Sequence, residues 1–151
     1  MKAATASLAP LEGPHLADST VWSKVRSSRA SGWADWFNLE VREGRIFRCE
    51  PVCLEILRSA RDTASFSEQS AMLNLLEDCP IGPKQWKRAR DVQALLAARS
   101  QHRSVPPQDF LIAAAAESAE IPLLHYDHDY DLIADVTGQE ARWLAPTGSI
   151  P

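Results

Sequence analysis

Long apolar runs are missing from this 151-residue chain. The longest stretches, such as Leu111 to Ala116, fall far short of the roughly 20 residues that cross a bilayer. The opening residues, MKAATASLAPLEGPHLADS, hold no sustained apolar core of the kind a secretory signal needs. Cysteine is scarce, with only Cys49, Cys53 and Cys79. An odd count without a signal segment argues against a disulfide framework and for reduced thiols in the cytoplasm. Cys49 and Cys53 have no second close Cys or His pair to complete a zinc site, and they read as small buried hydrophobes. Repeats and low-complexity segments are absent too. So are a Walker-type phosphate loop and a Gly-x-Ser-x-Gly elbow, which removes the commonest nucleotide-hydrolysing and serine-hydrolase readings.

What remains has the composition of one globular domain, 45% hydrophobic. Residues 1–14 are small and Pro-containing and read as a flexible extension, 15–147 as the domain, and 148–151 as a tail. HLADST reads as a strand ending in an acid, with Thr20 as N-cap of a helix over Val21–Arg26. Trp33, Trp36, Phe37 and Val41 recur at helical spacing before Gly44, and a short strand follows near Ile46. Pro51 opens a helix, PVCLEILRSAR. Ser65–Glu77 reads as another, burying Phe66, Met72, Leu73 and Leu76; Pro83–Arg99 as a third, with Trp86, Ala89, Val92 and Leu96 on one stripe. An alanine-rich helix begins at Pro106 or Pro107, Ile121–His125 is a strand, Asp129–Val136 a helix stopped by Gly138, and EARWLAP a last strand. This order predicts an α/β fold with a small, mostly parallel sheet flanked by helices.

The net charge of −4 is unevenly spread. Residues 84–103 hold Lys84, Lys87, Arg88, Arg90, Arg99 and Arg103 against Asp91 alone, whereas residues 104–151 hold eight acids against Arg142. A basic helix beside an acidic patch suits a polyanion gripped near a metal centre, although a solvated face explains it as well. Three acids occupy informative places. Asp18 ends the first strand, Asp127 follows the Ile121–His125 strand, and Asp109 lies in the first turn of the alanine-rich helix. Groups at the carboxyl ends of parallel strands collect in one crevice, and Glu55 on the Pro51 helix is the fourth candidate. Singly, each acid could be a helix cap or a surface charge. Together they require a cation, and oxygen-only ligands suit Mg2+ or Mn2+.

The segment LHYDHDYD places Asp127, Asp129 and Asp131 on alternate positions. A calcium loop needs glycine at its sixth position and glutamate at its twelfth, where this chain has Leu132 and Gly138. Asp127 is expected in the crevice, Asp129 at the start of the next helix and Asp131 outside the site. His125 and His128 are expected to be supporting or surface groups.

LADSTVW resembles the opening motif of PIN-domain ribonucleases, specifically the VapC-type toxins of toxin–antitoxin pairs. PVCLEILRSAR resembles the helix that carries their glutamate, and PPQDFLIAAAAESAEIPLLHYDHDYDLIADVTGQEARWLAP is similar to their C-terminal half. The likeness covers about residues 15–147. It implies an α/β/α PIN domain and a Mg2+- or Mn2+-dependent endoribonuclease acting on cellular RNA such as tRNA or rRNA. Asp18, Glu55, Asp109 and Asp127 match the catalytic acids. Asp18, Asp109 and Asp127 are the implied metal ligands, with Asp129 a further one through water. Ser19 and Thr20 match the hydroxyl positions, in the reverse of the usual Thr-Ser order. A VapB-like antitoxin and a homodimer are implied as well, with Trp22, Trp33 or Trp36 available to the dimer interface if not in the core. Arg58, Arg61, Lys84, Lys87, Arg88, Arg99 and Arg103 are the candidate RNA contacts. A noncatalytic PIN-like binding module and a metal-dependent DNA nuclease are the alternatives.

Overall fold

A computed structural model describes residues 8–27 and 32–150. Among them run β1 (His15–Ala17), α1 (Ser19–Ser27), α2 (Trp33–Arg42), β2 (Ile46–Phe47), α3 (Glu50–Arg58), α4 (Thr63–Asn74), α5 (Pro83–Ala97), a 3-10 turn (His102–Ser104), α6 (Pro107–Ser118), β3 (Leu123–His125), α7 (Asp129–Thr137) and β4 (Ala141–Trp143). The strands form one sheet in the order β2-β1-β3-β4, every neighbouring pair parallel. Parallel strands joined by helical crossovers are covered on both faces, so they read as continuous apolar runs. All three residues of β1 and of β3 are accordingly buried.

Alanine-rich α6 is buried on every side from Asp109 to Ala116. A helix apolar all round belongs in the interior, and its small side chains let neighbours approach closely. Its start therefore carries Asp109 into the core. Trp22 of α1 and Phe37 of α2 meet edge to face at 4.7 Å, and Trp33 meets Trp36 at 5.6 Å. All three tryptophans are buried, so a dimer contact through them is not available on this surface.

Several boundaries differ from those the sequence suggests. α1 begins at Ser19 rather than after Thr20, because the Asp18 carboxylate takes the capping role: its Oδ2 accepts from the Thr20 amide at 3.1 Å. α4 begins at Thr63 behind an Asp62–Ser65 capping box and ends at Asn74. That register leaves Phe66 47% exposed while burying Leu73 and Leu76. Trp86 on α5 is 59% exposed, whereas Ala89, Val92 and Leu96 are buried as expected. Gly138 stops α7 in the left-handed region, at φ 72°.

Of the expected 1–14 extension, residues 1–7 lie outside the described residues. The part that is described is attached to α2. The Trp36 indole donates to the Ala9 carbonyl at 3.0 Å, the Leu11 amide donates to Glu40 at 3.4 Å, and Leu8 and Leu11 pack on the core. At the other end Ile150 is buried and its amide donates to the Tyr126 hydroxyl at 3.2 Å, so the expected tail also touches the domain. The three cysteines are free and buried, and burial pushes the Cys79 thiol up to about 12, which keeps it protonated and inert.

Candidate metal centre

β1 and β3 are parallel neighbours, so the residues that follow them emerge at the same sheet edge. The Asp18 amide donates to the Leu124 carbonyl at 2.9 Å, which fixes where Asp18 leaves β1. Its carboxylate is buried and fully engaged. Oδ1 accepts from the Tyr130 hydroxyl at 2.7 Å, and Oδ2 accepts from the Thr20 hydroxyl at 2.7 Å. The Thr20 oxygen in turn accepts from the Tyr126 amide at 2.9 Å, tying the start of α1 to the end of β3. Ser19 serves the other acid. Its hydroxyl donates to Glu55 Oε2 at 3.1 Å, while the Gln108 amide donates to Glu55 Oε1. The reversed hydroxyl pair thus divides its work between two carboxylates.

Asp109, Asp127 and Asp129 each bring one carboxylate oxygen within 4.8 Å of the others. The turn between β3 and α7 makes this possible: Asp127 Oδ1 accepts from the Asp129 amide at 2.9 Å, folding both acids to the same side. Asp109 arrives from the start of α6. It is 6% exposed, and its Oδ2 has no hydrogen-bond partner among the described residues. Burial first, then the charges of Asp18, Asp127 and Asp129, raise its pKa to about 7. Burial and Asp127 raise Asp129 as well.

These features fit a divalent ion. The donors are hard oxygens with no sulfur among them, the acids are too crowded to ionise together unaided, and one buried oxygen is left without a partner. Asp129 lies as near as the other two, not in a more distant ring. Asp18 stands outside this trio, beside Asp109, with both oxygens held by the protein.

Two supporting residues escaped the sequence: Tyr130 and Gln108 are adjacent in the chain to Asp129 and Asp109, and that adjacency was the available signal. His125, expected as a supporting or surface group, is wholly buried between Tyr130, at 5.2 Å, and Trp143, at 5.0 Å. Its Nδ1 accepts from the Asp127 amide at 3.2 Å, which puts the proton on Nε2, and burial lowers its pKa. Asp131 turns away as expected and accepts from the Trp143 indole at 3.1 Å, with exposed His128 beside it at 3.3 Å.

The basic candidates divide by position. Arg88 forks onto Glu117 at 2.7 and 3.1 Å, and Gln85 donates to Ser118 at 2.8 Å, so α5 runs antiparallel to α6. Lys84, Lys87 and Arg88 therefore lie toward the far end of α6. Glu117 is eight residues beyond Asp109, about 12 Å along a helix axis. Lys87 is further engaged with Asp91 at 3.0 Å. Arg99 and Arg103 lie toward the Asp109 end of α6, and Arg58 and Arg61 follow Glu55; all four are exposed.

A four-stranded parallel sheet with acids gathered at the carboxyl edge defines the class, and the PIN domain family profile matches residues 16–136. The chain belongs to the PIN domain family. Within it, the chain is similar to Ribonuclease VapC51 of Mycobacterium tuberculosis, 41% identical over 108 residues covering 71% of this chain and 77% of that protein. It is likewise similar to Ribonuclease VapC18 of the same organism, 40% identical over 104 residues covering 68% and 76%. The fold resembles a chain in the crystal structure of DNA-bound VapBC from Salmonella typhimurium, with a TM-score of 0.61, 15% identity and coverage of 88% and 99%. It also resembles a chain of VapBC2 from Rickettsia felis bound to a promoter DNA fragment, with a TM-score of 0.63, 11% identity and coverage of 85% and 97%.

Proposed function

We propose that the chain is a divalent-metal-dependent endoribonuclease, the toxin of a toxin–antitoxin pair, restrained by a VapB-like antitoxin. The observation that carries this reading is the Asp109–Asp127–Asp129 trio with its unpartnered Asp109 oxygen, in a chain whose curated relatives are VapC ribonucleases. Asp109, Asp127 and Asp129 would hold Mg2+ or Mn2+. A bound ion there supplies a more acidic water and positive charge for the phosphodiester's developing negative charge. Tyr130 and Thr20 fix Asp18 beside Asp109. Ser19 and Gln108 fix Glu55 at the lip of the site, where it can orient or deprotonate a water. Of the RNA contacts expected from the sequence, Arg58, Arg61, Arg99 and Arg103 remain available to phosphates, with binding that weakens as salt rises.

The antitoxin reading is supported by solved neighbours that are VapBC complexes. Leu54 on α3, Phe66 on α4 and Leu75 just after it are 70%, 47% and 87% exposed, and offer apolar anchors for a partner helix. Homodimerisation and a cytoplasmic location belong to the same reading. Among the described residues no helix is long and apolar enough to cross a membrane.

The test is cleavage of total RNA by purified protein with Mg2+, Mn2+ or EDTA, beside Asp109→Asn. Cleavage should need the ion and vanish in the variant. Undiminished cleavage in EDTA, or by Asp109→Asn, would refute the site. Cleavage of single-stranded DNA at the same rate would favour a general nuclease.

A further inference from the structure

A second feature opens beside the acids and is not used by the metal chemistry. Between α1 and α3 lies a cleft of about 550 Å3, inside the range of roughly 300–1,000 Å3 typical of ligand sites. Ser19, Thr20 and Glu55 line one end, which adjoins the acids through the Thr20–Asp18 hydrogen bond. The remaining wall carries Ser23, Arg26, Ser27 and Ser59, with Trp22 behind them.

Two groups in this wall lack partners of the kind they need. Arg26 has no carboxylate partner among the described residues. Its guanidinium sits 5.8 Å from the Trp22 ring, an arrangement that holds a cation in place without neutralising it. Arg26 keeps solvent access, but the walls strip enough water from it to lower its pKa. Trp22 is 5% exposed, and its indole N–H is buried without an acceptor. Ser27 and Ser59 already donate to the Lys24 and Ile56 carbonyls at 3.1 and 2.7 Å, which leaves exposed Ser23 and Arg26 as donors seeking oxygen acceptors, and phosphate and ribose supply these densely. An apolar helix would need a row of apolar anchors. This wall offers only Ile56 and one face of Trp22.

We infer that the α1–α3 cleft seats the nucleotide next to the scissile phosphate, with Arg26 on a backbone phosphate and the Ser23 hydroxyl on a phosphate or ribose oxygen. This rests on the ribonuclease reading above and names the part of the substrate held outside the metal centre. Because Arg26 binds a group that does not react, it contributes to ground-state and transition-state binding alike. Removing it raises KM and leaves kcat largely unchanged.

The experiment uses a fluorescein-labelled single-stranded RNA and fluorescence anisotropy in the uncleaving Asp109→Asn background. Arg26→Ala should raise Kd about tenfold and reduce the magnitude of the salt slope by about 1, and Arg26→Lys should recover part of the loss. Ser23→Glu, at an exposed position that does not disturb the core, should weaken binding at least as much by placing a carboxylate in the cleft. With Asp109 intact and Mn2+ present, Arg26→Ala should raise KM with kcat within about twofold. RNA affinity within twofold of the parent for both Arg26→Ala and Ser23→Glu, with an unchanged salt slope, would overturn the inference. So would loss of antitoxin binding alone, which would make the cleft a protein dock. Failure of the unmutated protein to cleave RNA with either ion would instead count against the function itself. Cleavage that is intact and indifferent to Arg26 would remove only the cleft.

Discussion

Replacing Asp109 by Asn should stabilise the metal-free protein at alkaline pH. Asp109 is buried, its Oδ2 lacks a partner, and its neighbours are acids, so its folded pKa is about 7 against roughly 3.9 in the unfolded chain. Between those values the native state holds a proton that the unfolded state has released. Stability therefore falls as pH rises from about 4 to about 7 and levels off above. At about 1.4 kcal/mol per pKa unit the cost is about 4 kcal/mol at pH 8, a large share of the 5–15 kcal/mol typical of a domain. The asparagine amide removes the charge but is itself buried, so a net gain of roughly 2–3 kcal/mol is expected at pH 8. The gain should vanish near about pH 5 and become a loss of roughly 1–2 kcal/mol near pH 4. Buried His15 and His125, with lowered pKa values, give an opposite slope. The informative quantity is thus the difference between variant and parent. Urea denaturation of both proteins in EDTA, from pH 4.5 to 8.5, measures it. Saturating Mn2+ should then favour the parent, because only its carboxylate binds the ion and releases the proton; affinity should drop up to about tenfold per pH unit below 7. A variant no more stable than the parent at pH 8 in EDTA would show that the acids are not crowded, and the case for a cation would lose its footing.

Tyr130→Phe deletes the donor to Asp18 Oδ1, and should cost about 1–3 kcal/mol in urea unfolding with EDTA; equal stability would mean the bond contributes nothing. Leu96→Ala, at a position with no exposure, should cost about 2–5 kcal/mol without altering metal affinity measured by calorimetry. Arg103→Ala should weaken RNA binding and flatten its salt dependence, whereas Arg88→Ala should lower the melting temperature and leave RNA affinity unchanged, because Arg88 is committed to Glu117. The reverse result for this pair would place the RNA along the other end of α5.

Local signals carried much of the fold. Pro51 and Pro107 each sit in a first helical turn, Gly138 ends α7, and the apolar LLH run is β3. The gathering of acids followed from element ends, since parallel neighbours deliver Asp18 and Asp127 to one edge and the start of α6 brings Asp109. What periodicity could not supply was which helix face meets another element. Phe66 and Trp86 fit an apolar stripe in one dimension, yet both face outward because neighbouring helices do not reach them. The split of the basic cluster depended on α5 running antiparallel to α6, a tertiary fact without a sequence signature. The grip of Tyr130 on Asp18 spans 112 residues of chain and arises only when β1 and α7 meet.

β3 is inserted between β1 and β4, and the turn after it brings Asp127 and Asp129, two of the three acids in the trio. A chain interrupted before Leu123 therefore keeps only Asp109 of the trio and loses the Tyr126 amide that ties Thr20 to β3. A half-made or clipped copy is thus disarmed by geometry before any inhibitor arrives. It also leaves the β1 edge bare for stray pairing, so such fragments should clump rather than poison.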